Sequence, residues 1–177
     1  FYESLSPALI KFIEKQPMFF TATGCAEGRI NLSPKGMDSS QVLGPTSCGY
    51  IDLAGSGNET AAHIKNDESL TLMFNSFGRQ ALIVRLYGKG RVIRTHHAEF
   101  KDLAQKFGER RGQRQLILMD IESVQTSCGW GVPQMEVVAE RKAYQTFLDK
   151  HTDEEIEEET LRDNAVSIDG FPTGISD

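Results

Sequence analysis

Two short stretches of this chain carry residue types and spacings that could do chemistry. The first is Gly55-Ser56-Gly57-Asn58-Glu59-Thr60, which joins an apolar strand over Tyr50 to Ala54 to a short helix starting near Thr60. Two glycines separated by one residue allow a tight turn. Backbone amides at such a turn, with the open N-terminal end of a helix behind them, form a seat for a phosphate, with Ser56, Gly57, Asn58 and Thr60 as its contacts. The same composition also suits a plain strand-to-helix turn with Asn58 as N-cap. The second stretch is a strand over Arg29 to Lys35. Side chains alternate along a strand, so Asn31, Ser33 and Lys35 share one face and Leu32 and Pro34 the other. That polar face is either a donor surface ending in a cation or the solvated side of a half-buried strand.

Other reactive residue types give weaker patterns. Cys25, Cys48 and Cys128 are odd in number, widely spaced and without a Cys-x-x-Cys pair, so neither a disulfide framework nor a zinc site is expected. They read as small packing residues. His63 falls on the short helix, and His96-His97 at a turn after a strand. No His, Asp or Glu spacing suggests a metal site, and a Ser-His-Asp hydrolase reading lacks the Gly-x-Ser-x-Gly elbow. Trp130, the single tryptophan, sits between two glycines.

These candidates depend on the elements that position them. Ser6 as N-cap and Pro7 at the first helical position start a helix with an apolar stripe of Leu9, Phe12 and Ile13, and Pro17 stops it. Met18 to Thr23 then reads as a buried strand that forms a hairpin with Arg29 to Lys35 through Ala26-Glu27-Gly28. Further strands are expected at Ser69 to Asn75, Ala81 to Ile93 and Gln115 to Thr126, and helices at Phe100 to Phe107 and Met135 to Lys150. On the strand from Ala81, Leu82, Val84, Leu86 and Val92 alternate with Arg85, Tyr87, Lys89 and Arg91, giving a core side and a basic side. Gly88 and Gly90 on the core side suggest a bulge where a barrel bends. Five or six strands interrupted by short helices predict a mainly β fold with peripheral helices, a small antiparallel barrel rather than a doubly wound sheet.

The 177 residues, 39% of them hydrophobic, suit a single core. The net charge of −6 resides in the segment from His151 to Asp163, which reads as a solvated helix face or connection. From Arg79 to Arg114 ten basic residues face three acidic ones, but no aromatic platform accompanies them, so nucleic acid is not the expected partner. No apolar run approaches the roughly 20 residues that span a bilayer, and no signal-like segment opens the chain. A cytoplasmic protein without membrane contact is the expectation.

Taken together, Met18-Phe19-Phe20-Thr21-Ala22-Thr23, Gly28-Arg29-Ile30-Asn31-Leu32-Ser33-Pro34-Lys35-Gly36, and Tyr50-Ile51-Asp52-Leu53 leading into Ser56-Gly57-Asn58-Glu59-Thr60-Ala61-Ala62-His63 resemble the pyridoxamine 5'-phosphate oxidase-like flavoprotein family. The blocks Arg85-Leu86-Tyr87-Gly88-Lys89-Gly90-Arg91-Val92, Ser127-Cys128-Gly129-Trp130-Gly131-Val132-Pro133 and Ser167-Ile168-Asp169-Gly170-Phe171-Pro172-Thr173-Gly174 extend the match. The resemblance implies an FMN-binding split β-barrel of antiparallel Greek-key type over residues 1–134, with a C-terminal helical segment and tail, 135–177, packed on the same domain. It also implies a homodimer with flavin mononucleotide (FMN) at the subunit interface, deazaflavin or haem being the other cofactors to consider. The family's phosphate-binding Ser-Arg-Lys triplet aligns here with Asn58-Glu59-Thr60, and its preceding Tyr-Thr pair with Leu53-Ala54, so the basic clamp is missing. Glu59 would be unfavourable beside a phosphate unless it points away. Cations must then come from other strands, with Lys35, Arg85 and Arg91 as candidates, while Asn31, Ser33 and Lys35 could face the flavin ring and Trp130 could cover it.

The expected function is an FMN-dependent oxidoreductase acting on a small molecule. A non-catalytic flavin- or haem-binding split barrel is the alternative, and an interaction protein using the basic strand and acidic segment is a third.

Overall fold

The computed structural model describes residues 1–177. Its twelve elements are α1 (Pro7–Ile13), β1 (Phe19–Thr23), β2 (Asn31–Lys35), β3 (Ser40–Gly44), β4 (Ser47–Leu53), α2 (Glu59–Asn66), β5 (Ser69–Asn75), β6 (Leu82–Arg94), α3 (Phe100–Phe107), β7 (Gln113–Cys128), α4 (Ala143–Lys150) and α5 (Asp153–Asp163). The strands form one antiparallel sheet in the order β2-β1-β5-β6-β7-β4-β3. The sheet curls until β1 and β4, which share no ladder, face each other: the Phe19 and Tyr50 rings meet edge to face at 5.4 Å, and Tyr50 Oη donates to Thr21 Oγ1 at 3.4 Å. This is a split barrel.

The curvature has a local cause. The β6–β7 register shifts between Tyr87 and Gly88, leaving Glu122 as an extra residue on β7, and a bulge of this kind bends and twists its strand. A side chain at Gly88 would collide with the Asp120 carbonyl, so only glycine lets the strands close here. The bulge read from the glycines is therefore found.

Alternation along the strands fills the barrel. Leu70, Leu72 and Phe74 of β5, Val84 and Leu86 of β6, and Ile117, Met119 and Val124 of β7 are all at most 2% exposed and pack with Phe12, Ile13 and Phe19. A second cluster, Ile51, Ile93, Leu116 and Leu118, is covered from outside by Phe100, Ala104 and Phe107 of α3. Truncating one such leucine to alanine would cost about 2–5 kcal/mol.

Two sequence expectations need correction, and one pair of alternatives is decided. Seven strands are present because Ser40–Gly44 also pairs, turning back into β4 through Pro45-Thr46. The helix expected over Met135 to Lys150 is confined to Ala143–Lys150. Residues 129–142 run without regular structure, held by Met135 N donating to Phe77 O at 3.0 Å; the adjacent β-branched Val137 and Val138 are poor helix formers. The acidic segment is the helix α5, started by a Thr152–Glu155 capping box with Asp153 and Glu154 in its first turn. No helix is long and apolar enough to cross a membrane.

Candidate functional site

The turn after β4 and the polar face of β2 come together. Asn31, Ser33 and Lys35 of β2, Asp52 and Leu53 of β4, the turn residues Gly55 to Thr60, and Arg114 of β7 enclose a cavity of about 270 Å³. The amides of Gly55, Ser56, Gly57 and Asn58 donate to no protein acceptor. They lie at the N-terminal end of the eight-residue α2, where partial positive charge accumulates. Asn58 occupies the N-cap position but makes no side-chain cap bond. Its Oδ1 accepts from Gln115 Nε2 at 2.7 Å, and its Nδ2 is buried without a partner.

A buried carboxylate organises the cavity wall. Asp52, 2% exposed, accepts from Lys35 Nζ at 2.9 Å, from Arg114 Nε at 2.9 Å and from Gln115 Nε2 at 2.6 Å, with Arg114 Nη2 in ion-pair contact at 2.8 Å. Burial alone would push its carboxyl upward, but Arg114 and Lys35 outweigh that and hold it below the usual carboxylate range. Burial likewise works against the Lys35 ammonium, and Asp52 more than offsets it, so its pKa is raised. Arg114 also donates to Gly57 O at 2.7 Å and to Asn164 Oδ1.

Beside these charges runs a neutral network. Ser33 Oγ donates to Asn31 Oδ1 at 2.8 Å, while Asn31 Nδ2 donates to Thr23 Oγ1 at 3.1 Å and Thr60 Oγ1 at 3.0 Å. Thr23 Oγ1 also meets His63 Nδ1 at 3.0 Å, and the buried His63 Nε2 has no partner. The polar side chains of β2 are thus part-buried and bonded to one another and to neighbouring elements.

The C-terminal tail walls one side of the turn. Asn164 Nδ2 donates to Gly55 O at 2.9 Å, and Ile168 N donates to the Glu59 carboxylate at 3.1 and 3.2 Å. Asp169 binds Arg29, and the Phe171 ring stands 6.4 Å from that of His63. Glu59 therefore holds the tail through its carboxylate.

The structure brings Asn31, Ser33, Lys35, Ser56, Gly57, Asn58 and Thr60 to one cavity, and leaves three other candidates, Arg85, Trp130 and Arg91, outside its wall. Arg85 donates to Ser127 Oγ at 2.9 Å, and Trp130 is 85% exposed; neither lines the cavity. Arg91 pairs with Asp120 on the exterior. Asp52, Arg114, Gln115 and Asn164 are members that the sequence did not single out. Asp52 carried a signal: an ionisable residue inside an otherwise apolar strand must find a partner when buried. No group of three or more His, Cys, Asp or Glu side chains is placed to hold a metal ion. Lys35 also borders a wider cleft of about 910 Å³ whose walls include Met18, Met37, Phe77 and Tyr144.

Comparison with known proteins gives this arrangement a context. A family profile described as pyridoxamine 5'-phosphate oxidase matches residues 5–128. The pyridoxamine 5'-phosphate oxidase family protein ustO of Aspergillus flavus is 39% identical over 145 residues, which cover 79% of this chain but only 58% of that relative. Among solved structures, a proposed pyridoxamine 5'-phosphate oxidase of Lactobacillus delbrueckii superposes with a TM-score of 0.56 at 18% identity, over 70% of this chain and 95% of its own. An FMN-binding protein of Syntrophomonas wolfei gives a TM-score of 0.50 at 10% identity, over 67% and 86%. The profile covers more than half of the chain and includes β1 through β7, so this chain belongs to the pyridoxamine 5'-phosphate oxidase family.

Proposed function

We propose that this protein is a flavin-dependent oxidoreductase that holds its cofactor, FMN, by the phosphate on the Gly55–Thr60 turn. The observation that carries the reading is a set of donors without a protein acceptor, the four backbone amides of the turn and buried Asn58 Nδ2, with the ammonium of Lys35, already bonded to Asp52, on the same cavity wall. The family membership and an FMN-binding protein of the same fold support flavin as the ligand.

The residues present fit the phosphate end of such a cofactor. A 270 Å³ cavity is at the small end for a ligand site and suits a phosphate and part of a sugar-like chain. A ring system would extend past Lys35 toward the wider, more apolar cleft that Lys35 also borders. When bound, flavin supplies two-electron chemistry with a small-molecule substrate. The chain's own residues then have distinct tasks. The turn amides and Asn58 position the phosphate, Lys35 contributes positive charge, and the Asn31–Ser33 pair presents fixed dipoles. The tail from Asn164 to Phe171 shields one flank from water.

The ring-bearing face is proposed to be completed by a second copy of the chain. Ile30 and Leu32, 82% and 65% exposed, lie just before and on the sheet-edge strand β2, close to Asn31 and Ser33. Apolar groups displayed beside a site mark an interaction surface.

Titration of the protein with FMN, read by flavin fluorescence and by melting temperature, tests the cofactor assignment. Saturable quenching with a raised melting temperature is expected. No change in either signal refutes the assignment. Reduction of the bound flavin by nicotinamide donors, followed by reoxidation with candidate acceptors, then separates an enzyme from a protein that only holds flavin.

A further inference from the structure

The electrostatic balance of the cavity points to a narrower ligand class. Only two cations line it, Lys35 and Arg114. The Arg114 side chain is 6% exposed and commits its donors to Asp52, Gly57 O and Asn164 Oδ1, so it faces the protein rather than the cavity. Lys35, with its side chain 25% exposed, retains donors for a ligand, but its charge is already matched by Asp52 at 2.9 Å. A second carboxylate, Glu59, also lines the cavity. The charges of the two lining cations are therefore matched by those of two lining carboxylates, and the remaining donors are neutral: the amides of Gly55 to Asn58, Ser56 and Asn58 Nδ2.

Neutral donors can satisfy the oxygen lone pairs of a phosphate, yet they do little to offset a second full negative charge removed from water. A phosphate monoester carries about −1.5 to −2 at neutral pH, since its second pKa is about 6, whereas a phosphodiester carries one negative charge. We infer that Asp52 sets this seat to accept a singly charged phosphate, so that a flavin joined through a phosphodiester is held at least as well as the monoester dianion. The inference rests on the flavin reading for the identity of the ligand, but not for the electrostatic character of the seat.

The test compares FMN with the 5'-methyl phosphodiester of riboflavin, in the wild type and in Asp52→Asn, by flavin fluorescence at fixed ionic strength and neutral pH. The wild type is expected to bind the diester at least as tightly as FMN. Asp52→Asn removes one negative charge at nearly constant volume and is expected to shift the preference toward FMN by about tenfold. FMN binding more than tenfold tighter than the diester in the wild type overturns the inference, and this arm decides alone if the variant does not fold. If no flavin binds, the flavin reading fails, and melting temperatures in dimethyl phosphate and in inorganic phosphate, each against chloride of equal ionic strength, decide the seat. A rise in dimethyl phosphate at least as large as in inorganic phosphate supports a one-charge seat, and a rise in inorganic phosphate alone, or in neither, overturns it.

Discussion

Asp52 of β4 and Lys35 of β2 meet at 2.9 Å across the seam where the curled sheet has no hydrogen-bonded ladder. This ion pair joins the first strand of the sheet order to the sixth, and both residues line the turn cavity. It is both a closure of the fold and a determinant of the site's charge.

The pair makes stability sensitive to acid. Asp52 has a folded pKa below its unfolded value, so its contribution is fully present above about pH 4, the ordinary aspartate range, and is lost as pH falls through the folded value. Lys35 has a raised pKa, so its contribution persists below about pH 10 and is lost only as pH rises through the folded value. Asp52→Ala leaves Arg114 and Lys35 without their shared partner and is expected to cost about 3–5 kcal/mol. Urea unfolding at pH 7 measures this; a loss below about 1 kcal/mol would show that the carboxylate is dispensable for stability.

Lys35→Ala is expected to weaken FMN binding by roughly tenfold to a hundredfold, the range for losing a hydrogen bond to a charged group. Fluorescence titration of the folded variant reads it. An unchanged dissociation constant would remove Lys35 from the cofactor site.

Asn164 is fully buried, where its amide joins Gly55 O to Arg114. Asn164→Ala strands both groups, with an expected loss of about 1–3 kcal/mol. For a chain of this size that corresponds to a fall of roughly 2–12 °C in melting temperature. A variant melting within a degree of the wild type would show that the tail does not brace the turn.

The three thiols should react in a fixed order. Cys128 is exposed, Cys25 is half-buried, and burial pushes the Cys48 thiol up to about 12, which leaves it protonated at neutral pH. Labelling with a thiol reagent followed by peptide mass analysis should modify Cys128 first and Cys48 only after unfolding. Rapid modification of Cys48 in the native protein would contradict the packing around it.

Much of this site was legible because strand alternation is a local rule. Asn31, Ser33 and Lys35 had to share a face, and the glycine turn had to lie at the end of β4. Arg114 and Gln115 were not legible for the same reason. Alternation assigns adjacent residues to opposite faces, whereas both reach Asp52 because the β4–β7 register shifts between Asp52 and Leu53, leaving Arg114 as an extra residue. Bulges of this kind redirect side chains, and neither residue type announces one. Asn164 was hidden differently, since its contact with Gly55 depends on where α5 releases the chain, a tertiary matter. The strand Ser40–Gly44 escaped because its residues, with no buried alternation, gain their pairing only from β4. The helix expected from Met135 failed where the β-branched Val137 and Val138 interrupt it.

The absorption spectrum of freshly purified protein, repeated after addition of FMN and removal of the excess, tests the central claim most directly. The visible bands of protein-bound oxidised flavin are expected, retained through gel filtration by the wild type and diminished in Lys35→Ala. A colourless protein that keeps no added flavin, or one that instead shows the intense band of a haem, would contradict it.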